Sequence, residues 1–423
     1  MAQSNLDWRN NMPYRYGFRD YLHYFQMFRR LDKRQKAWGK LFEEAIRNGT
    51  YELPWAAAVQ IIPTEACNLR CPMCQQWGKN GYFLAGVRPV QHMEKTALTT
   101  LMRGLSPEYS FISIHGGEPF VYKHFSTLLA LLAEKQFDVM FSTNGTLITK
   151  YVEPLAELKN LALLLSIDGD EETHDMIRGK GRFRQAKEGL AELFEIRRSR
   201  NMTLPFVTMN FVVCEYNPDV IEKVYHVAQE FGVFFLNYIM RWFSTEEIGL
   251  AYEKHLQAHF NLKSTGAWRG GNLNPENDFY KRASIHLRQI FRKQKYNPFP
   301  PYVVTMPKHL RGNDFDKYFT DYLNVFGNES CFMPFYWARI HANGELIYCP
   351  GHPDIIAGNV FLDGFQAAFN SQTSIKFRKY ILHNRFPICN RCCGLYQAYP
   401  GRPYEQKARR NLGLSKKIAV HYP

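Results

Sequence analysis

Apolar and polar residues follow two different periods along this chain, and the switches between them mark its elements. Apolar runs at 56–62, 110–114, 137–142, 161–167, 206–214 and 233–240 have the length and composition of buried strands. Between them, stretches at 93–104, 124–135, 150–159, 184–200 and 217–231 read as helices. Strands alternating with helices predict a parallel sheet with right-handed crossovers. Ahead of this block, Phe18, Tyr21, Leu22, Phe25, Phe28 and Leu31, then Trp38, Leu41, Phe42, Ala45 and Ile46, fall at helical spacing. They predict a helix over 17–48 that Asn48-Gly49 ends. Behind it, helical segments at 246–262 and 278–294 are separated by Gly/Asn-rich and Pro-rich stretches without a motif. Near the end, Asn343-Gly344 between two apolar runs predicts a hairpin.

The candidate chemistry sits where those patterns break. Cys67, Cys71 and Cys74 follow the first strand at spacing C-x3-C-x2-C, in a loop marked by Asn68 and Pro72. Three thiolates in one loop can hold a soft metal centre. No fourth Cys or His stands close by, so the loop reads as a [4Fe–4S] cluster with one open iron; a zinc site with a distant ligand is the alternative. After the second strand come Gly116, Gly117, Glu118 and Pro119. The glycines allow a close approach to backbone, and the carboxylate suits an ammonium group. Later, Cys331, Gly344 and Cys349 are followed by Cys389 and Cys392 in C-x2-C, with Cys393 adjacent. Two such pairs make a closed four-thiolate site for an iron–sulfur cluster or, as in a zinc ribbon, for zinc.

Together these motifs resemble the radical S-adenosylmethionine (radical SAM) superfamily, and the last set resembles its SPASM domain in the shorter twitch form. The resemblance implies an α/β fold: a partial (β/α)6 barrel with a C-terminal twitch/SPASM-like auxiliary cluster domain. It implies two [4Fe–4S] clusters and S-adenosyl-L-methionine as cofactors. Cys67, Cys71 and Cys74 would hold the first cluster, and Cys331, Cys349, Cys389 and Cys392 the second. Gly116, Gly117, Glu118 and Pro119 match the motif that binds the SAM amino group. Ser142, Asn144, Ser166, Asp168 and Asn210 match positions near its ribose and carboxylate, and Arg178 the position that meets its carboxylate. Cys214, near the end of the fifth strand, matches the place of a hydrogen-atom donor in some epimerases; burial as a small apolar residue is the alternative. The implied activity is reductive cleavage of SAM to a 5′-deoxyadenosyl radical, which removes hydrogen from a substrate C–H bond. An auxiliary cluster then assists oxidation, cross-linking or epimerisation of a peptide or small molecule. A lipid or membrane-borne substrate is a second reading. An electron-transfer or structural Fe–S/zinc module without SAM is a third, from another class.

Composition narrows this further. The chain has 423 residues, 45% hydrophobic and 22% charged, enough for a sizeable core. The organisation expected is a basic helical segment at 1–55, the barrel at 56–245, a bridging or substrate-facing region at 246–325, the auxiliary domain at 326–400 and a basic tail at 401–423. No apolar run reaches the ~18 residues of a membrane span, and the polar start lacks a signal-peptide core. A cytoplasmic location follows, extending to the inner membrane face, with nine cysteines read as ligands rather than disulfides. The formal net charge is +14, and most of the excess lies in the terminal segments. That surface suits an anionic partner, including an anionic membrane. Nucleic acid is disfavoured, since no binding motif accompanies the charge. The chemistry also calls for a low-potential electron donor such as flavodoxin or ferredoxin.

Overall fold

The structure is a computed structural model that describes residues 16–273, 278–294, 297–308 and 310–396. The expected basic tail at 401–423 and residues 1–15 lie outside the described residues.

The six expected strands are present: β1 (Ala58–Ile61), β2 (Phe111–Ile114), β3 (Val139–Thr143), β4 (Leu161–Ser166), β5 (Phe206–Val213) and β6 (Phe235–Met240). They pair in parallel in that order. The linking helices include α2 (Lys95–Gly104), α3 (Phe125–Lys135), α4 (Val152–Ala156), α5 (Glu171–Arg178), α6 (Arg182–Ser199) and α7 (Ile221–Glu230), after the opening helix α1 (Phe18–Arg47). The fold is thus the α/β partial barrel expected. The Pro-rich stretch hid a seventh parallel strand, β7 (Tyr302–Met306), beside β6. The hairpin also holds a surprise. Its first strand, β8 (Trp337–Ile340), pairs in parallel with β1. Its second, β9 (Glu345–Ile347), leads to β10 (Ile356–Asn359), and all ten strands form one sheet of order β10-β9-β8-β1-β2-β3-β4-β5-β6-β7.

Alternation along the strands gives the sheet two different faces. One carries Val59, Ile61, Ile112, Ile114, Val139, Phe141, Leu163, Leu165, Val207 and Met209, all buried in the main core. The other bears Met140, Ala162 and Phe206 in register across β3 to β5, and Phe235 level with Tyr302 on β6 and β7. Tyr24 and Met27 of α1 cover that row. The Tyr24 hydroxyl donates to the Leu204 and Pro205 carbonyls at 3.0 and 3.1 Å. Arg30 and Arg34 grip the buried Asp138 carboxylate at 2.8 and 2.7 Å. So α1 closes the N-terminal end of the barrel. Its later turns join the core through Trp38, stacked on Phe42 and edge-on to Tyr336. The opposite side of its first turns stays exposed at Phe18, Leu22, Phe25 and Phe28. Among the described residues, no helix is long and apolar enough to cross a membrane.

Two substitutions separate the sides of α1. Trp38 is 1% exposed, so Trp38→Ala is expected to cost about 3–5 kcal/mol in a denaturant titration. Phe25 is 60% exposed, and Phe25→Ala is expected to stay within about 0.5 kcal/mol. A large loss at Phe25 would show that this side is covered.

Candidate active site

The cysteine loop leaves β1 at the carboxyl ends of the strands, the end where sites form in parallel α/β folds. Its path is set by contact between backbones. A Cβ on Gly116 would stand 2.3 Å from the Thr64 carbonyl oxygen, and one on Gly117 2.3 Å from that of Ala66. The Glu118 amide donates to the Ala66 carbonyl at 2.8 Å. These glycines admit the cysteine loop itself, not only a ligand. Within the loop, amides of Leu69 and Trp77 point at the sulfurs of Cys67 and Cys74, both at 3.4 Å. The Arg70 guanidinium lies 4.0 Å above the Trp77 ring and donates to the Cys67 carbonyl at 2.8 Å.

Glu118 is 1% exposed and already accepts three hydrogen bonds: Phe120 N at 3.2 Å, Thr143 Oγ1 at 2.8 Å and Asn144 N at 2.7 Å. Burial still pushes its carboxyl up to about 7, against the pull of these donors and of the Arg178 charge. Asn144 is committed as well. Its Nδ2 donates to Asn68 Oδ1 at 2.9 Å, and its Oδ1 accepts from the Thr146 amide and hydroxyl. Asn144 therefore braces the cysteine loop against the end of β3. Asp168 and Arg178, expected to face SAM separately, pair with each other at 2.6 Å. Asp168 also accepts the Val212 amide, and Asn217 donates to the carbonyls of Asp168 and Val212. The Arg178 charge still reaches Cys71 and Cys74. Ser142, Ser166 and Asn210 stand half-buried on the inner face, with Ser166 level with Asn210. Cys214 is fully enclosed against Leu69, Cys71, Met73 and Ile177, and burial pushes its thiol up. It has no accessible surface.

A second group of thiols forms at the other end of the chain. Cys331, Cys349, Cys389 and Cys392 line one cavity with Met333, His352 and Phe377; Cys393 is absent from its wall. A hydrogen bond from Cys393 is the main influence holding the Cys392 thiol below its ordinary range, helped by amides of Gly394 and Leu395 and the Arg339 charge. The two thiol groups approach each other. Gln75, next to Cys74, sits against Gly271 and Gly351, and Gly351 lies two residues after Cys349. A cavity lies there, lined by Gln75, Trp242, His352, Arg391 and Cys392 among others. Across β8, β1 and β2, Arg339, Gln60 and Ser113 stand level on the inner face, with His115 one step on. Gln60 Oε1, Ser113 Oγ, His115 Nε2, Arg339 Nε and, on β6, Asn237 Oδ1 are buried without a partner. Sequence reasoning missed this belt, Gln75, Thr143 and Asn217, because their meaning lies in strand register.

Among the described residues, no three Cys, His, Asp or Glu side chains converge on a single-ion site. Zinc needs its donors about 2.0–2.3 Å from one centre, whereas a four-iron cluster takes thiolates spread around a wider body. Thiols ringing a cavity fit the cluster.

Comparison with known proteins agrees with this geometry. Residues 61–228 match the radical SAM superfamily, and residues 331–393 match SPASM, an iron–sulfur cluster-binding domain. The chain is therefore a radical SAM protein with a C-terminal SPASM-type domain. Such domains take a SAM-binding [4Fe–4S] cluster, S-adenosylmethionine and auxiliary iron–sulfur clusters. The chain is 28% identical over 204 residues to the sporulation killing factor maturation protein SkfB of Bacillus subtilis, covering 48% of this chain and 45% of that one. It is 28% identical over 172 residues to the mycofactocin maturase MftC of Mycolicibacterium smegmatis, covering 40% and 41%. The chain thus spans less than half the length of these curated relatives. Streptococcus suis SuiB, solved with S-adenosylmethionine, shares the fold at a TM-score of 0.56 and 15% identity over 90% of this chain and 80% of that one.

The raised Glu118 carboxyl has a testable sign. Burial shifts Glu118 toward its protonated form, so a cation that needs the ionised form binds more weakly as pH falls below about 7. SAM affinity of the reconstituted protein, measured by calorimetry, is expected to fall from about pH 8 to about pH 6. Glu118→Gln is expected to flatten that profile, weaken binding by about 2–5 kcal/mol and leave iron content unchanged. An unaltered profile would remove Glu118 from SAM binding.

Proposed function

We propose that the protein is a radical SAM enzyme acting on a peptide, with Cys67, Cys71 and Cys74 holding the SAM-binding cluster and Cys331, Cys349, Cys389 and Cys392 the auxiliary one. The observation that carries this reading is the pair of thiol groups, three in the loop that follows β1 and four around one cavity. When bound, the first cluster supplies the electron that cleaves SAM and yields the hydrogen-abstracting 5′-deoxyadenosyl radical.

The chain's own residues bind and orient. Glu118 keeps one oxygen, Oε2, with a single donor, and that oxygen is the acceptor offered to the SAM ammonium. Arg178, held by Asp168, aims its cationic end at the loop to meet the SAM carboxylate. Gly116, Gly117 and Pro119 fix Glu118 against the loop; Ser142, Ser166 and Asn210 line the inner face toward the ribose. The belt of unpartnered donors and acceptors suits peptide groups, which present both kinds of hydrogen-bonding atom. The maturase names of SkfB and MftC, and the structure of SuiB with its precursor peptide SuiA, support a peptide in that place. An auxiliary cluster held by Cys331, Cys349, Cys389 and Cys392 would supply an electron-accepting centre, and a flavodoxin or ferredoxin would serve as the low-potential donor.

A second reading adds a membrane surface. The exposed ridge of α1 runs Phe18, Leu22, Phe25, then Arg29, Lys33, Lys36 and Lys40: apolar in its first turns, cationic in its last. Such a ridge suits shallow insertion beside anionic headgroups.

Anaerobic reconstitution is expected to give about eight irons, and reduced protein with SAM to release 5′-deoxyadenosine. A Cys67→Ala, Cys71→Ala, Cys74→Ala variant should keep about four irons and release none. Cys393→Ser should keep all eight or so, and Cys392→Ser should lose about four. Absence of 5′-deoxyadenosine from the fully loaded protein would leave the electron-transfer module standing instead. For the membrane reading, flotation with anionic vesicles is expected to be salt-sensitive and lost in Phe18→Ser, Leu22→Ser, Phe25→Ser. A protein that stays in solution with every vesicle would end that reading.

A further inference from the structure

The inner face of the barrel carries a charge that the described residues do not answer. Arg339 stands in β8 between Ala338 and Ile340, and both of these lie in the main core. Alternation therefore turns Arg339 to the inner face. The same rule turns Gln60 inward from between Val59 and Ile61, and Ser113 from between Ile112 and Ile114. Strand register sets Arg339 level with Gln60, and Gln60 level with Ser113. Neighbouring strands lie ~4.8 Å apart, so the three side chains start from one short row. They are 8%, 2% and 0% exposed, and each holds a buried polar atom without a partner: Arg339 Nε, Gln60 Oε1 and Ser113 Oγ.

A buried charge is costly unless something pairs with it. Other buried arginines here are paired. Arg197 donates to the Thr203, Ala156 and Leu158 carbonyls, and Arg378 to those of Pro334 and Tyr51. Arg339 has no hydrogen bond or ion pair among the described residues. The carboxylates at this end of the barrel are committed elsewhere. Glu65 is held by His341 Nδ1 at 2.8 Å and by the Gln91 amide at 3.2 Å. Glu118 is held by Phe120, Thr143 and Asn144. Below the row, on the same face, Ala58, Phe111 and Trp337 stand level and offer no side-chain acceptor. Above it, toward the carboxyl ends, His115 is half-buried with Nε2 unpartnered. Burial, then the Arg339 charge, holds its ring neutral, so it brings one N–H rather than a second cation. The row is therefore closed below by apolar groups and can be answered from above.

We propose that Arg339, with Gln60, Ser113 and His115, binds a carboxylate of the substrate inside the barrel. The guanidinium fork matches a planar carboxylate with two parallel hydrogen bonds. The Ser113 hydroxyl, the His115 N–H and the Gln60 amide, which can turn its NH₂ inward, serve the remaining lone pairs. The carboxylate belongs either to an acidic side chain or to the end of a peptide. This deepens the reading of the interior as the place of a peptide substrate and rests on it.

The test uses the full-length reconstituted protein with SAM bound and three N-acetylated probes. These are Gly-Gly-Glu-Gly-Gly amide, pentaglycine with a free carboxylate, and pentaglycine amide. Dissociation constants are read by ligand-observed NMR at millimolar probe. One acidic probe is expected to bind at least about tenfold more tightly than the neutral amide, and which one does so names the source of the carboxylate. Arg339→Met is expected to erase that margin, and Arg339→Lys to keep part of it. Gln60→Glu puts a carboxylate level with Arg339, so it should pair with the arginine, keep the fold and erase the margin as well. It decides the matter if the Met variant does not fold. Equal binding of all three probes, no binding by the wild type, or a margin that survives Gln60→Glu overturns the proposal. So does a tenfold loss of SAM affinity with Arg339→Met, because the arginine then serves the SAM carboxylate. Release of 5′-deoxyadenosine by the reduced wild type is measured alongside. Its absence counts against the radical SAM reading, whereas a protein that releases it and shows no preference for an acidic probe overturns this proposal alone.

Discussion

The arrangement at the strand ends depends on two backbones lying against each other with no side chain between them. Thr64 to Ala66 pass so close to Gly116 and Gly117 that their carbonyl oxygens occupy the places of two Cβ atoms. That contact fixes the entry to the cysteine loop and the position of Glu118 at once. Everything further out is braced on it: Glu118 holds the Thr143 and Asn144 end of β3, and Asn144 returns to Asn68 inside the loop. The geometry is a closed circuit of short links rather than a set of independent ligands.

The second site is built on different physics. It gathers thiols from three separate stretches around one cavity. Gln75, next to Cys74, packs against Gly351, and the cavity beside it reaches Cys392 and Cys393. A substrate between the two thiol groups would meet polar atoms on β1, β2, β6 and β8 that the fold leaves unanswered.

Much of this was legible in the sequence, because strand length, helical period and cysteine spacing are local properties. The strands β1 to β6, the helix α1 and the hairpin at Gly344 were all found that way, and the two thiol groups followed from spacing. What stayed hidden was set by pairing between distant segments. Nothing local in Trp337–Ile340 says that it pairs with Ala58–Ile61, and the prolines around Tyr302–Met306 masked β7. Asp168 and Arg178 each looked like a ligand contact; only the fold revealed that they hold each other. Cys392 and Cys393 stood even in sequence, and only Cys392 lines the cavity shared with Cys331, Cys349 and Cys389.

The pairing of β8 with β1 has a consequence for how the chain reaches this state. All four residues of β1 are buried, and one of its two hydrogen-bonding edges is satisfied only by a strand near the end of the chain. During synthesis that edge waits, apolar and unpaired, while the rest of the barrel is already made. An open edge of this kind is a template for pairing with another chain. A shortened protein that stops before Trp337 would therefore be prone to clump through β1 rather than persist as a smaller barrel. Late completion of the sheet ties solubility to the arrival of the segment that carries the second set of thiols.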